Sequence, residues 1–295
     1  LDESSFLFKA FRLFGILLKY HDPTLGNHLE DQAFLPEFYS AQWFLTLHAR
    51  NLPIHLVLRL WDMLIAVDDA GFTFFIGLAI LQKYRRAILA SEMGCIPEVI
   101  SGMTIEDESD VDAISQSAWK LYRATPRCFN RCLRLCCVPT PELGLRAAQE
   151  AQLAARAFSS EHLREHDTFM AAQTARSCVM ISAQDLVSSL VHDALSPPET
   201  QYMVLDARPA DAVQQYGAGA LPRAVQLDPS LLGDSERLAA WMAAHAGARG
   251  CHLCLVDMPI VQATGMALWR RLLLGEGDGV GPAGIAYSNG PPGVI

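Results

Sequence analysis

The spacing of apolar residues changes once along the chain, and this change constrains the fold more than any other feature. Over residues 1–137, apolar side chains recur with the spacing of helices that bury one face or nearly all of their surface. From residue 178 onward, short apolar runs of strand length alternate with helical patterns. We therefore predict an all-α domain over residues 1–140, a partly helical linker over 141–177, and an α/β domain with a mostly parallel sheet over 178–295.

Proline residues and turns mark the predicted helix ends in the first part. A buried helix over residues 6–18 is stopped at Pro23, and a second helix is predicted to start near Pro36. A turn over residues 68–71 precedes a long, apolar helix over 72–89. Strand patterns are rare in this part, which favours a helical domain.

In the second part, strands and helices alternate. The strand patterns lie at residues 179–181, 201–206, 224–227, 251–256 and 284–287. The helical patterns between them lie at residues 182–195, 211–216, 235–245 and 263–274. Such alternation is typical of a parallel sheet whose strands are joined by helices.

Composition excludes several classes of protein. Of 295 residues, 51% are hydrophobic and 19% are charged, which excludes a disordered chain and predicts a large core. The net charge of −9 argues against broad binding to nucleic acid. No apolar run reaches the ~18 residues that span a bilayer. Eight cysteines without a secretory leader predict reduced thiols in the cytoplasm.

Three segments of the first part resemble the C-terminal part of the TBC domain, the domain of Rab GTPase-activating proteins. They are His-Asp-Pro-Thr-Leu-Gly-Asn-His-Leu at residues 21–29, Trp-Phe-Leu-Thr-Leu at 43–47 and Leu-Trp-Asp at 60–62. The residues that carry the TBC-like signature are Trp43, Trp61 and Asp62. The resemblance implies an all-α fold and a Rab GTPase as a candidate partner.

The TBC resemblance also implies where catalysis would reside. In that family an Arg finger and a Gln finger, in Ile-x-x-Asp-x-x-Arg and Tyr-x-Gln motifs, stabilise the transferred phosphoryl group and orient the attacking water. Neither motif occurs in this sequence. The family places both upstream of the matching segments, and the chain begins at Leu1 without an initiator Met. We therefore predict no catalytic residue here, and the alternative is a Rab GTPase-activating protein whose fingers lie upstream.

The second part resembles a rhodanese-like domain. A strand ends in Asp206 and Arg208, and a Gly-Ala-Leu-Pro turn that contains Gly219 and Pro222 follows it. Gly and Pro shape the turn into the next strand. The turn departs from the family pattern at Ala220, where the family has His. The resemblance implies an α/β fold with a loop for sulfur chemistry after a buried strand.

That loop lacks the family's nucleophile. Active rhodaneses place a Cys directly after the buried strand, where backbone N–H groups stabilise an anion. Here Asp257 stands at that position, and a carboxylate cannot carry sulfur. We interpret as a degenerate active loop the residues Asp257, Met258, Pro259, Ile260, Val261, Gln262, Thr264 and Gly265. Two interpretations of it stay open, because it can contact a partner or fill the lost pocket. A second alternative is a sulfurtransferase that uses Cys254.

Two further motifs match catalytic or metal-binding spacings. His162-Leu-Arg-Glu-His166 has the spacing of some zinc sites, but a solvated helix explains this polar segment better. The spacing of Cys128 and Arg134 is that of Cys phosphatases, whose loop needs glycines that are missing here. With Cys132 and Cys136, Cys128 instead forms one helix face, which favours buried thiols.

Together the two resemblances predict a non-catalytic adaptor or scaffold in endosome-to-Golgi vesicle trafficking. Such a protein is cytoplasmic and peripheral at Golgi or endosomal membranes. Its expected partners are proteins of the vesicle-tethering machinery, with a Rab GTPase as a further candidate. No cofactor, metal, nucleic acid or transmembrane segment is predicted.

Overall fold

The computed structural model describes residues 6–50, 52–91, 94–137, 179–182, 185–187, 202–206, 224–226, 228, 230–231, 234–244 and 252–256. The chain divides into two compact units, Leu1–Val187 and Ser188–Ile295. The predicted domain limits at residues 140 and 178 stay a prediction.

The described part of the first unit is helical. Its helices are α1 (Phe6–His21), α2 (Pro23–Asp31), α3 (Pro36–Leu45), α4 (Ile54–Val67), α5 (Phe72–Lys83), α6 (Arg85–Leu89), α7 (Ile96–Ser101), α8 (Glu108–Ala124) and α9 (Arg127–Cys136). Among the described residues of 6–137 there is no strand, which confirms the prediction of an all-α first part.

Helix α5 is the centre of the first unit. Its residues 72–81 are all buried, because the helix is apolar on every side and packs against α3, α4, α8 and α9. On one side, the rings of Phe72 and Phe75 contact Tyr122 of α8, at centroid distances of 5.7 and 5.2 Å. On the other side, Phe74 contacts Phe44 of α3 at 4.7 Å. Aromatic rings therefore join α5 to α3 and to α8 within a core that is otherwise mostly aliphatic.

The helix stop predicted at Pro23 coincides with the start of a second helix. Helix α1 ends at His21, and α2 begins directly at Pro23, a helix that the sequence analysis did not predict. The buried Asp22 carboxylate caps α2 by accepting a hydrogen bond from the backbone N–H of Leu25 at 3.0 Å. It also accepts one from Nε of Arg85 at 2.5 Å. Asp22 thereby ties the start of α2 to α6.

The prediction of one helix over residues 72–89 is wrong. The helix is interrupted at Tyr84, which ends α5 and precedes α6. The Tyr84 hydroxyl donates to the carbonyl oxygen of Thr104 at 2.5 Å and accepts from its N–H at 3.1 Å. These contacts hold Tyr84 against the segment after α7, so the chain departs from the helical path at this residue.

The prediction of a strand over residues 179–181 is also wrong. This segment has no strand structure and lies against the start of α9. The Asp185 carboxylate accepts from the backbone N–H of Cys128 at 2.8 Å, and the Cys128 sulfur accepts from the N–H of Ser182 at 3.3 Å. Val179 is buried. The described residues 179–182 and 185–187 lie in the first compact unit, where the Asp185 carboxylate stabilises the N-terminus of α9.

The second unit contains a parallel sheet. Its described elements are β1 (Tyr202–Asp206), β2 (Val225–Gln226), α10 (Ser235–Ala244) and β3 (His252–Val256), and the strand order is β2-β1-β3. Both pairings are parallel, with Leu205 opposite Val225 and Asp206 opposite Val256. This confirms a parallel arrangement for these three strands. The strand predicted at 284–287 lies outside the described residues.

Candidate functional site

Trp43, the first residue of the TBC-like signature, is part of the aromatic core. Its ring lies 5.9 Å from that of Tyr39 and 6.5 Å from that of Phe14, measured between centroids. It also stacks on the imidazole of His48 at 6.1 Å. These contacts give Trp43 a structural role that couples α3 to α1 and to the turn after α3.

Trp61 and Asp62 have different surroundings. The Trp61 indole N–H donates a hydrogen bond to the carbonyl oxygen of Leu47 at 3.0 Å. Leu47 and His48 both have positive φ angles, 46° and 62°, so this bond supports a turn that L-residues seldom adopt. Asp62 is exposed on α4. Trp61 is thus a positioning residue for the α3–α4 connection, and Asp62 is available at the surface.

Helix α4 presents an apolar stripe to solvent beside these residues. Ile54, Leu58 and Ile65 are 70%, 52% and 77% exposed. Their spacing places them with the half-buried Trp61 on one helix face. Leu47, 47% exposed, adjoins this face through its hydrogen bond to Trp61. We name Leu47, Ile54, Leu58, Trp61 and Ile65 the α4 surface. Clustered exposed apolar residues of this kind mark contacts with other proteins.

Charged residues of α8 lie beside the α4 surface. The Arg59 guanidinium donates to the Asp112 carboxylate at 2.8 Å and to Glu108 at 3.2 Å. The hydrogen bond to Asp112 is the main reason that the pKa of Arg59 is raised. Lys83 pairs with Asp110 at 2.5 Å and lowers the pKa of that carboxyl. On the side of α4 that faces α8, Arg59 is thus surrounded by the carboxylates of Glu108 and Asp112, and Asp62 lies three residues along the same helix.

His48 is a buried titratable residue that directly follows Leu47 of the α4 surface. Its Nε2 lies 3.1 Å from the carbonyl oxygen of Thr73 and 3.2 Å from the Thr73 hydroxyl. Its Nδ1 has no hydrogen-bond partner among the described residues. Burial lowers the pKa of His48 to about 4, so the imidazole is neutral at pH 7. His48 and Thr73 are both buried and out of reach of a substrate, so this contact has a structural role.

In the second unit, the sheet places two of the predicted residues. Asp206 is buried at the end of β1, and Cys254 is buried within β3, opposite Val204. Burial raises the pKa of the Cys254 thiol to about 12. Since the thiolate is the nucleophilic form, this thiol is poorly suited to sulfur transfer. Outside the described residues lie Arg208, Gly219, Pro222, Asp257, Met258, Pro259, Ile260, Val261, Gln262, Thr264 and Gly265.

The cysteine cluster of α9 is structural. Cys132 and Cys136 are buried and Cys128 is partly exposed. Burial raises the pKa of each of these thiols to about 12. This confirms the predicted burial for Cys132 and Cys136 and gives phosphatase chemistry no support. The motif at His162 and His166 lies outside the described residues.

The α4 surface was missed by the sequence analysis. The helical pattern of α4 includes Ile65 among its apolar residues, although this side chain is the most exposed of the set. Two sets of apolar residues stand out on α4, one at 56, 57 and 60 and one at 54, 58, 61 and 65; residues 63, 64, 66 and 67 are apolar as well. A helix with apolar residues on two faces indicates a second partner: Leu56, Val57 and Leu60 are buried in this unit, whereas Ile54, Leu58 and Ile65 are exposed.

None of the helices in the described part of the chain is both long and apolar enough to span a bilayer.

Comparison with known proteins identifies the helical region. Residues 1–89 match the Rab-GTPase-TBC domain family. The TBC domain-containing protein kinase-like proteins of Gallus gallus and Homo sapiens are 33% and 32% identical over 126 residues, 43% of this chain and 14% of each relative. TBC1 domain family member 4 of Mus musculus is 33% identical over 91 residues, 31% of this chain and 7% of that protein. The chain thus spans a small part of these relatives, and the residues that match the TBC family model include helices α1–α6.

Proposed function

We propose that the protein is a non-catalytic adaptor or scaffold in endosome-to-Golgi vesicle trafficking. The observation that carries this proposal is a TBC-domain match over residues 1–89 in a sequence without either finger motif. The proposed partners are a Rab GTPase and proteins of the vesicle-tethering machinery. The proposed location is cytoplasmic, at the surface of Golgi or endosomal membranes.

The proposal includes a rhodanese-like domain in the second unit, Ser188–Ile295, because residues 179–187 of the predicted span 178–295 lie in the first unit. The parallel order β2-β1-β3 and the position of Asp206 at a strand end support it. A TBC-like region followed by such a domain resembles TBC1 domain family member 23 and also the TBC domain-containing kinase-like protein. Asp257 in place of the nucleophile and the buried Cys254 favour a binding domain over a sulfurtransferase.

The α4 surface is the proposed contact with a partner. Its side chains are apolar and exposed, and acidic groups border it, so a partner with apolar residues beside basic ones is complementary. The loop over residues 257–265 is a second proposed contact, because Met258 and Ile260 are apolar. Variants of the α4 surface and variants of this loop show separately how much each one contributes to partner binding.

The first prediction concerns catalysis. The 295-residue chain should leave the GTP hydrolysis rate of each member of a Rab panel unchanged, because it lacks the Arg finger motif. The measurement is single-turnover phosphate release, with an active Rab GTPase-activating protein as the positive control. An acceleration of about a thousandfold, the scale of an Arg finger, would show that the chain is catalytic. If acceleration appears only in a longer protein that contains both finger motifs, the alternative of upstream fingers is correct.

The second prediction concerns binding. In titrations of the Rab panel loaded with a non-hydrolysable GTP analogue, at least one member should bind the chain. Leu58→Asp combined with Ile65→Asp should weaken that binding about tenfold or more, because a charge in an apolar contact is desolvated without a partner. Val187→Asp is the matched control, since Val187 is similarly exposed but lies outside the α4 surface.

The loop variant completes this experiment. If Met258→Asp with Ile260→Asp weakens binding and the α4 variant does not, the partner contacts the loop. If neither variant changes the affinity while both stay folded, both proposed surfaces are wrong. If no Rab of the panel binds, a Rab is not the partner.

A further inference from the structure

Basic residues are concentrated at the end of α8 and along α9. Residues 120–134 contain five basic side chains and no acidic one, although the whole chain has a net charge of −9. Residues 106–112, around the start of α8, show the opposite pattern, with five acidic side chains and no basic one. The charge of this region is therefore divided along the length of α8.

Helix α9 separates its charged residues from its apolar ones. Arg127, Arg131 and Arg134 are spaced by four and three residues, which places them on one face of the helix. Arg127 and Arg134 are exposed, and Arg131 is half-buried. The side chains on the opposite face are buried, and they are Phe129, Cys132, Leu133 and Cys136. The arginine face of α9 is therefore the side that faces solvent.

The end of α8 lies next to α9 and carries two more basic residues. The amide nitrogen of Asn130 donates a hydrogen bond to the carbonyl oxygen of Tyr122 at 2.9 Å, which holds the last turn of α8 against α9. Lys120 and Arg123 are exposed on this part of α8, and the Arg123 guanidinium lies 5.8 Å from the ring centre of Trp119. We name Lys120, Arg123, Arg127, Arg131 and Arg134 the basic surface.

The acidic start of α8 is too far away to cancel the basic surface. Glu108 and Arg123 are fifteen residues apart on this helix, which is about 22 Å along its axis. At physiological ionic strength the Debye length is about 8 Å, so charges at that separation are largely screened from each other. In addition, Glu108 and Asp112 already form ion pairs with Arg59 of α4.

Two carboxylates lie nearer to α9, and both are engaged within the helical unit. Asp69 accepts a hydrogen bond from the Tyr122 hydroxyl at 2.9 Å, and Asp185 accepts one from the backbone N–H of Cys128 at 2.8 Å. Both residues are half-buried. Two carboxylates against five basic groups leave the basic surface with a positive charge.

We propose that the basic surface contacts the headgroups of an anionic membrane in which phosphatidylserine is the charged lipid. The inference rests on the proposed location at a membrane surface, and it specifies the face of the protein that meets the membrane. Arginines along the outer side of a helix can contact several lipid phosphates at once.

The distribution of apolar residues favours a membrane over a protein as the occupant. The centre of a protein interface is rich in apolar side chains, whereas α9 buries its own apolar face inside the unit. Attraction to an anionic bilayer requires only basic groups near the surface. Because this attraction is electrostatic, the contact should be reversible and should weaken as the salt concentration rises.

The test measures cosedimentation of the full chain with lipid vesicles. Vesicles of phosphatidylcholine alone are compared with vesicles that contain phosphatidylcholine and phosphatidylserine in equal amounts. The wild type should bind only the second kind and should be released by high salt. Arg127→Glu combined with Arg134→Glu should lower the partition coefficient by about tenfold or more, because each basic residue near such a surface contributes roughly fivefold.

The matched control is Arg50→Glu combined with Arg86→Glu. Both arginines are exposed in the same unit but lie outside the basic surface, and the pair changes the net charge by the same amount. This control should bind like the wild type, and an equal loss in both variants would overturn the proposal, because net charge alone would then govern binding. If charge reversal on α9 alters the circular dichroism spectrum, Lys120→Gln with Arg127→Gln replaces it, with a loss of about tenfold expected.

These measurements need neither a Rab GTPase nor a tethering protein, so the membrane contact and the proposed adaptor function can fail separately. Absence of binding to the phosphatidylserine vesicles would overturn the membrane contact and leave the partner titrations unaffected. A polyglutamate peptide is the second probe. If the chain binds this peptide but not the vesicles, the basic surface is a contact for an acidic protein segment and the membrane proposal is wrong.

Discussion

Phe14→Ala should lower the free energy of unfolding of the helical unit by about 3–5 kcal/mol, the range for large-to-small changes of buried aromatic residues. Phe14 is fully buried in α1. Its ring centroid lies 5.2 Å from Phe44, 6.2 Å from Tyr39 and 6.4 Å from Phe74. The variant removes contacts to α3 and to α5 together. It also leaves a cavity, because the surrounding close-packed helices cannot move far enough to fill the space.

The measurement is urea denaturation followed by far-ultraviolet circular dichroism. Phe38→Ala is the matched control, because Phe38 is 64% exposed and its ring stacks on that of Phe34, 5.9 Å away in the connection before α3. We expect it to cost less than about 1 kcal/mol. Equal losses for the two variants would contradict the assignment of Phe14 to the centre of the core.

The stability of the helical unit should fall as the pH is lowered from about 6.5 to about 4, because His48 must stay neutral in the folded state. Its pKa is 6.5 in the unfolded chain and is lowered by burial to about 4 in the fold. Between these values the unfolded state binds more protons, so acid favours unfolding. The stability that depends on neutral His48 is fully present above pH 6.5 and is lost as the pH falls to about 4. Over this range the free energy of unfolding falls by about 3 kcal/mol in total.

The comparison with His48→Asn isolates this effect. Asn tolerates the positive φ of 62° at this position and does not titrate. The variant loses the contact with Thr73 and should be less stable than the wild type at pH 7.5. The difference between their free energies of unfolding should become smaller toward pH 4. Carboxylates that titrate in this range do so in both proteins and cancel in the difference. A gap that is constant with pH would show that His48 titrates normally.

Local chemistry in the sequence accounts for most of the helix and strand positions. Pro36 begins α3 as predicted, and the strands around Asp206 and Cys254 lie where period and β-propensity place them. Asp22 before Pro23 is also the pattern of an N-cap and a first helical residue, so α2 was within reach of sequence reasoning. Helix α2 is polar and has only nine residues, so its apolar residues show a weak helical spacing. Asp22-Pro23 therefore predicted only the end of the preceding helix.

Other features depend on contacts between residues far apart in the chain. The helix break at Tyr84 follows from hydrogen bonds with Thr104, and the non-strand path of 179–182 follows from contacts with Cys128. No local pattern encodes either, because the competing partner is supplied by another element. The same holds for the burial of Tyr39, whose ring contacts Phe14 of α1 and Phe34 before α3.

The sequence by itself determined the helical character of the first part, the parallel strands of the second and the TBC resemblance. These properties rest on the spacing and chemistry of near neighbours, which any chain with this pattern shares. The tertiary structure alone decided that Leu56 and Leu60 face the core while Ile54, Leu58 and Ile65 face solvent. Hydrophobicity is equal for both sets, and burial depends on which side of α4 meets α5 and α8.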